Sequence, residues 1–300
     1  MQVPGGFWVR GEPFVDDRGR VGLRDPKPYN VLEEFRRDGP PDDRRADAVR
    51  VGRPYLEFAR LGDIPSCPTG AGVERVLGFV RRFGLLGLLP HKLFLWVDAH
   101  PDRHPVRMVW AFRGQDAHGF SAEPRPDGEI PPGALFLGQW AGATGPSGFV
   151  RIEELSGYFD GPPVRVGHPE FWHRYREPVH AITNTARWWA GVLRGLGHRR
   201  SRREALDALR GAMAVVVPDL YPQWDGRRRP RWGRRPTLGF SSPSLLGFMG
   251  LALAEDLAVG RGVLTCEACG RFFVSGQPGA AYCSPACRWR TQKRRQRTRG

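Results

Sequence analysis

Four of the five cysteines in this 300-residue chain crowd near its end, at Cys266, Cys269, Cys283 and Cys287. Their spacing is C-x2-C, thirteen intervening residues, then C-x3-C. Thiolates are soft donors, and two short pairs brought together by a turn supply the sulfur tetrahedron that zinc takes in structural sites. Two disulfides are the competing chemistry, which an intracellular setting disfavours. A site filled by four protein ligands is closed to substrate. One such zinc per chain serves to fold a segment too small to fold alone.

Other reactive residue types lack that convergence. Asp98, His100, Asp102 and His104 alternate along DAHPDRH, a ligand-like set, but two prolines make a turn-rich loop with no strand to aim them. His168, His173 and His180 lie in a Trp-rich helical region, the last two expected on one face; no carboxylate partner is evident, so they read as surface or capping groups. Cys67 has no identifiable base beside it and reads as inert. The chain has no phosphate-binding glycine loop, no G-x-S-x-G elbow and no dinucleotide fingerprint. The reading is therefore non-enzymatic.

The cysteines need elements to hold them. Gly270, after the first pair, permits a tight knuckle. Arg271–Val274 reads as a short strand, Gly276–Gly279 as its turn, and Tyr282 with Cys283 as a returning strand. Ser284-Pro285 opens a helix, with serine as cap and proline at the first helical position. Cys287 then falls in the first helical turn and can face the knuckle.

These residues resemble a treble-clef zinc finger, and in particular the C-terminal fingers of bacterial CGNR-type proteins. The resemblance rests on Cys266, Cys269 and Gly270, the strand Phe272-Phe273-Val274, Tyr282-Cys283-Ser284, Cys287 and the basic helix beyond. It covers about 40 residues. Of the naming tetrapeptide, Cys287-Arg288-Trp289-Arg290 keeps only the first and last members. Such fingers often follow a largely helical ABATE domain proposed to act in stress-linked transcriptional regulation. The resemblance thus implies a bacterial transcriptional regulator.

Charge points the same way. The net charge is +15, and it is localised. Segment 261–300 holds nine basic residues and one acidic, and segment 194–235 twelve basic and four acidic; the remainder is balanced to −1. Charge of one sign gathered in blocks implies an anionic polymer or surface as partner. Along the terminal helix stand Arg288, Arg290, Lys293, Arg294, Arg295, Arg297 and Arg299, expected around its whole circumference. Like charges at this spacing repel, so the helix should fray alone and be ordered by a polyanion. Nucleic acid is the favoured partner, DNA ahead of RNA, with salt-sensitive and largely sequence-independent affinity. An acidic protein surface is the alternative, and a solvated tail the bland one. Arg227, Arg228, Arg229, Arg231, Arg234 and Arg235, near Trp224 and Trp232, either extend that surface or form a basic connector.

The rest of the chain must fold without help from these motifs. A hydrophobic fraction of 40% suffices for a core. Met1 to Arg10 carries no secretory pattern, and the most apolar stretch, Phe83 to Val97, is too short to span a bilayer; a cytoplasmic protein is expected. Residues 1–54 suggest only one short helix, at Val31–Arg37. Segment 71–89 reads as a helix, 93–97 and 106–112 as strands, and 113–148 mostly as loop apart from an apolar run at Ala134–Trp140. A strand or short helix follows around Phe149–Phe159. Helices run from Pro169 with a break at Pro178, from a capping box at Ser201 and Glu204 to about Val217, and from Ser242-Pro243 to Gly260; residues 218–236 between the last two read as loop. The expected fold is α+β, with a mostly helical domain over 1–260 and a zinc-finger module over 261–300, each with its own core. The oligomeric state is left open.

Overall fold

In the computed structural model the described residues are 7–31, 53–65, 68–88, 94–96, 107–109, 135–138, 148–151, 158–161, 170–213, 216–221, 223–224, 230–231, 237–241, 244–277 and 279–297. In chain order these form β1 (Phe7–Val15), β2 (Arg20–Asn30), α1 (Pro54–Arg60), α2 (Ala71–Phe83), β3 (Phe94–Trp96), β4 (Arg107–Val109), β5 (Leu135–Gly138) and β6 (Gly148–Arg151). There follow α3 (Phe171–Arg174), β7 (Glu177–Pro178), α4 (Val179–Gly197), α5 (Arg202–Met213), β8 (Val217–Tyr221), β9 (Gln223–Trp224), β10 (Pro230–Arg231) and β11 (Thr237–Ser241). The chain then makes α6 (Leu245–Ala258), β12 (Gly262–Thr265), β13 (Phe272–Ser275) and α7 (Pro285–Arg297). The architecture is mixed helix and strand. No described helix is long and apolar enough to cross a membrane.

The β1–β2 hairpin corrects the helix-only expectation for the first 54 residues. Its turn is made by Asp16, whose carboxylate accepts the N–H groups of Arg18 and Arg20 at 3.0 and 2.8 Å and Arg20 Nε at 2.7 Å. An aspartate that satisfies its own turn in this way folds the chain back. β7 pairs with β2 only at Arg20 and Val21. Pro26 and Pro28 therefore lie where β2 has a single neighbour and a missing N–H is tolerated.

Helix α2 buries Val76, Phe79, Val80 and Phe83. It ends at Phe83, short of the helix expected to reach 89, because Gly84 takes φ 86°. A Cβ there would stand 2.1 Å from the Val9 carbonyl oxygen, so only glycine fits. Leu85 to Leu88 then run buried without helical hydrogen bonds. Glu177 replaces those bonds: its carboxylate accepts the N–H of Leu86, Gly87 and Leu88 at 2.9, 2.6 and 3.1 Å, and the Tyr175 hydroxyl at 2.7 Å. Burial pushes the Glu177 carboxyl above its usual range, against the pull of these donors.

Pro178 breaks the helical run as expected and stands at the N-cap of α4. Helix α4 packs against α1, α5 and β12. Trp189, at its centre, is fully buried and donates Nε1–H to the Tyr55 carbonyl at 2.9 Å. The α4–α5 turn is closed by the Ser201 hydroxyl donating to Gly195 O, and α5 ends at Met213 rather than Val217. The basic segment after it is partly a β-ladder, with β8 paired to β11 and β9 to β10. Segments 93–97 and 106–112 do pair, as β3 with β4, while β5, inside the apolar run at Ala134–Trp140, pairs with β6, which overlaps the start of the strand or short helix expected around Phe149–Phe159. The cap of α6 is Ser244, accepting Gly247 N–H at 3.0 Å, two residues beyond the expected start.

Where α6 ends, a buried carboxylate fixes the path onward. Asp256 accepts the Tyr55 hydroxyl at 2.5 Å and Arg261 Nη1 at 2.8 Å, with Arg53 Nε at 3.7 Å. A buried charge is tolerated only when so fully paired. Arg261 leads directly into β12, so this network sets the angle at which the cysteine-bearing segment leaves the core.

Candidate metal centre and basic helix

The hairpin β12–β13 has two faces with different duties. Its register pairs Val263 with Val274 and Leu264 with Phe273. Successive strand side chains point to opposite faces. Val263, Phe272 and Val274 accordingly join the large core, while Leu264 and Phe273 pack against the cysteines. The two clusters are distinct, and one short hairpin walls both.

Cys266 follows β12 and begins the knuckle. Its carbonyl accepts Gly270 N–H at 2.8 Å, and its own N–H reaches Arg271 O at 2.9 Å. Gly270 has φ 69°, and a Cβ on it would meet nothing within 4 Å, so backbone conformation and not space requires glycine. The second pair returns on irregular chain, not on the strand expected at Tyr282 and Cys283. Glu267 N–H to Ala281 O, at 3.0 Å, and the Tyr282 hydroxyl on the Glu267 carboxylate, at 3.1 Å, tie that chain to the knuckle. Ser284 caps α7 as anticipated, its Oγ accepting Cys287 N–H at 3.3 Å with Pro285 at the first helical position.

These elements bring all four thiols together. Their Sγ atoms lie within 4.8 Å of one another, Cys269 to Cys283 at 3.7 Å and Cys283 to Cys287 at 3.6 Å, and all four are free thiols. Four sulfurs around a metal with 2.3 Å bonds sit about 3.8 Å apart, so the donor set fits a single tetrahedral ion. Cys266 and Cys287 are buried; Cys269 and Cys283 are half-exposed. Burial raises the Cys266 thiol, but N–H groups of Cys283, Ala268 and Cys269 aimed at its sulfur outweigh that and bring it down to about 6. Burial and the neighbouring thiols push Cys283 up to about 12. Such a set cannot ionise together unless a cation gathers the charge.

Helix α7 carries the basic residues outward. Only Cys287 and Thr291 are buried on it; Arg288, Arg290, Lys293, Arg294, Arg295 and Arg297 are exposed. Arg295 Nη2 stands 3.7 Å from Glu267, the segment's one acidic residue. Trp289 is 64% exposed. Arg299 lies outside the described residues, as do Cys67, His168, the loop from Asp98 to His104, and Arg227 to Arg229. His173 falls on α3 and His180 on α4, with β7 between them, so they share no helix face. Among the described residues the four cysteines are the one metal-ligating cluster. The Asp256–Tyr55–Arg261 network escaped sequence reasoning, because Tyr55 and Asp256 are 201 positions apart and nothing local marks either. No protein family, curated protein or solved structure matches the chain.

Proposed function

We propose that the chain is a non-enzymatic nucleic-acid-binding protein of the cell interior, carrying a treble-clef finger closed by one structural zinc. On this reading Cys266, Cys269, Cys283 and Cys287 are the ligands. The resemblance to CGNR-type fingers extends it to a bacterial transcriptional regulator, whose N-terminal part senses a signal or mediates association. The observation that carries the reading is α7 itself: a helix with six described, exposed cations, anchored through Cys287 to the cluster. Zinc is favoured over other metals because four thiolates in a closed tetrahedron are its usual structural set. Guanidinium groups held outward on an anchored helix suit phosphates, and each phosphate neutralised releases counterions.

The test is equilibrium binding of the intact, zinc-loaded protein to random duplex DNA and to RNA across a salt series. Affinity is expected to fall steeply and linearly in log salt. Binding absent at low salt would defeat the reading. An acidic polypeptide that competes as well as DNA of equal charge would shift it to a protein partner.

A further inference from the structure

The cations on α7 are not spread evenly round the helix. Residues advance about 100° each along an α-helix. The buried line runs between Cys287 and Thr291. Trp289 points about 180° away from it, with Gln292, Lys293 and Gln296 following at i+3, i+4 and i+7 along the same outward ridge. Arg288 and Arg295 lie about 60–80° to one side of the buried line, and Arg294, Arg290 and Arg297 about 40–100° to the other. All are exposed, and the four ridge residues contain a single charge. The outermost stripe of a strongly basic helix is therefore an indole, two amides and one ammonium, flanked on both sides by guanidinium groups.

A solvated tail or a simple counter-charge to a polyanion has no need of this order. From it we infer that α7 enters the major groove of duplex DNA and reads base edges with Gln292 and Gln296. The inference rests on the nucleic-acid reading above and narrows it to a class of ligand. A helix with its side chains is about 10–12 Å across, and the major groove about 12 Å wide. A helix seated there faces the base edges with its ridge and meets a phosphate strand on each flank, which is where the arginines stand. Glutamine offers the paired donor and acceptor that match adenine N6 and N7, and the flat face of Trp289 suits a thymine methyl. A single strand offers one phosphate row and leaves one arginine flank without a role. The fixed geometry comes from below: Cys287 in the cluster, and Thr291 donating to Cys287 O at 3.3 Å, set which way the ridge faces.

The experiment is selection from a pool of random duplexes by the full, zinc-loaded chain, followed by binding of the selected site and a scrambled duplex. A short enriched site containing A·T pairs is expected, with a preference of ten-fold or more over the scrambled duplex. Gln292→Ala combined with Gln296→Ala should cut that preference, by roughly 5- to 100-fold for each bidentate pair removed. Both glutamines are exposed and alanine favours helix, so the variant folds. Salt-dependent binding to every duplex alike, with no enriched site, overturns the inference and leaves the nucleic-acid reading standing. Single-stranded oligonucleotides that outcompete duplexes of equal length overturn it in favour of base stacking on Trp289. No binding to any nucleic acid removes both.

Discussion

Helices α6 and α7 begin alike and end up held by different forces. They have 14 and 13 residues, and each opens with a serine whose Oγ accepts the N–H three positions on. Helix α6 then buries ten residues, among them Leu245, Leu246, Phe248, Met249 and Leu253. Helix α7 buries a cysteine and a threonine. An isolated helix of this length is marginal in water, and repelling arginines make it worse. Hydrophobic packing keeps α6 in place whatever the metal does. In α7 the same starting signal leads to a helix anchored through a cysteine of the cluster, so on the proposed zinc reading its order is conditional on the site being filled.

Emptying the site should therefore break the comparison most sharply. Chelation or Cys283→Ser removes an interaction worth on the order of 10–16 kcal/mol in small zinc modules. Helix α7 should melt while α6 persists, read as retained far-UV helical signal with loss of amide protection confined to residues 285–297. The hairpin adds a second expectation. Because Val263, Phe272 and Val274 belong to the large core, the whole chain should melt at a lower temperature without its metal. An unchanged Tm would show that the shared wall transmits nothing. Freshly purified protein should carry one zinc per chain, and metal analysis well below that would undo the anchor argument.

A truncation inside each helix is the next test. Leu253 is fully buried on α6, and Leu253→Ala should cost about 2–5 kcal/mol. Trp289 is the largest apolar side chain on α7, yet at 64% exposure its replacement by alanine should change stability by about 0.5 kcal/mol or less. Denaturant titrations of the two variants measure this difference directly. A Trp289 variant as damaged as the Leu253 variant would mean that α7 has a packing role. Smaller again, Ser244→Ala and Ser284→Ala should each cost about 1 kcal/mol of local helix stability. The first should appear in global unfolding and the second only as fraying of α7.

The comparison also shows what sequence could reveal. Signals that act within a few residues were legible: the cysteine spacing, Gly270, the Ser284-Pro285 opening, and the break at Pro178. Signals that depend on distant chain were not. The run Leu85 to Leu88 reads as helix by composition, but the Val9 carbonyl against Gly84 and the Glu177 carboxylate, about 90 residues on, decide otherwise. The β1–β2 hairpin was hidden by Pro26 and Pro28, which argue against a strand until its single-neighbour stretch is known. The shared wall was hidden for a related reason. Alternation along Phe272-Phe273-Val274 shows two apolar faces, but not that the second face meets a core built around α1 and α4, tens to hundreds of residues away.

The smallest expected effect on stability bears most directly on function. Deleting Lys293–Gly300 removes Lys293, Arg294, Arg295, Arg297 and Arg299 and spares all four cysteines. The described residues it removes are exposed, so the packing of the core is untouched. It removes the ion pair between Arg295 and Glu267, where both side chains are more than half exposed, and such surface pairs contribute little. Folding and metal content should survive. Affinity for duplex DNA should fall, and the slope of log affinity against log salt should flatten by roughly 0.9 for each phosphate no longer neutralised. Not all five cations need reach the backbone, so a flattening of about two to four units is expected. Replacing the five with glutamine should reproduce it, which separates charge from length. If the shortened chain binds with unchanged affinity and slope, these five cations act only as solvated charge. The polyanion surface would then have to be sought elsewhere, first at the α4–α5 turn, where Arg199, Arg200, Arg202 and Arg203 are exposed.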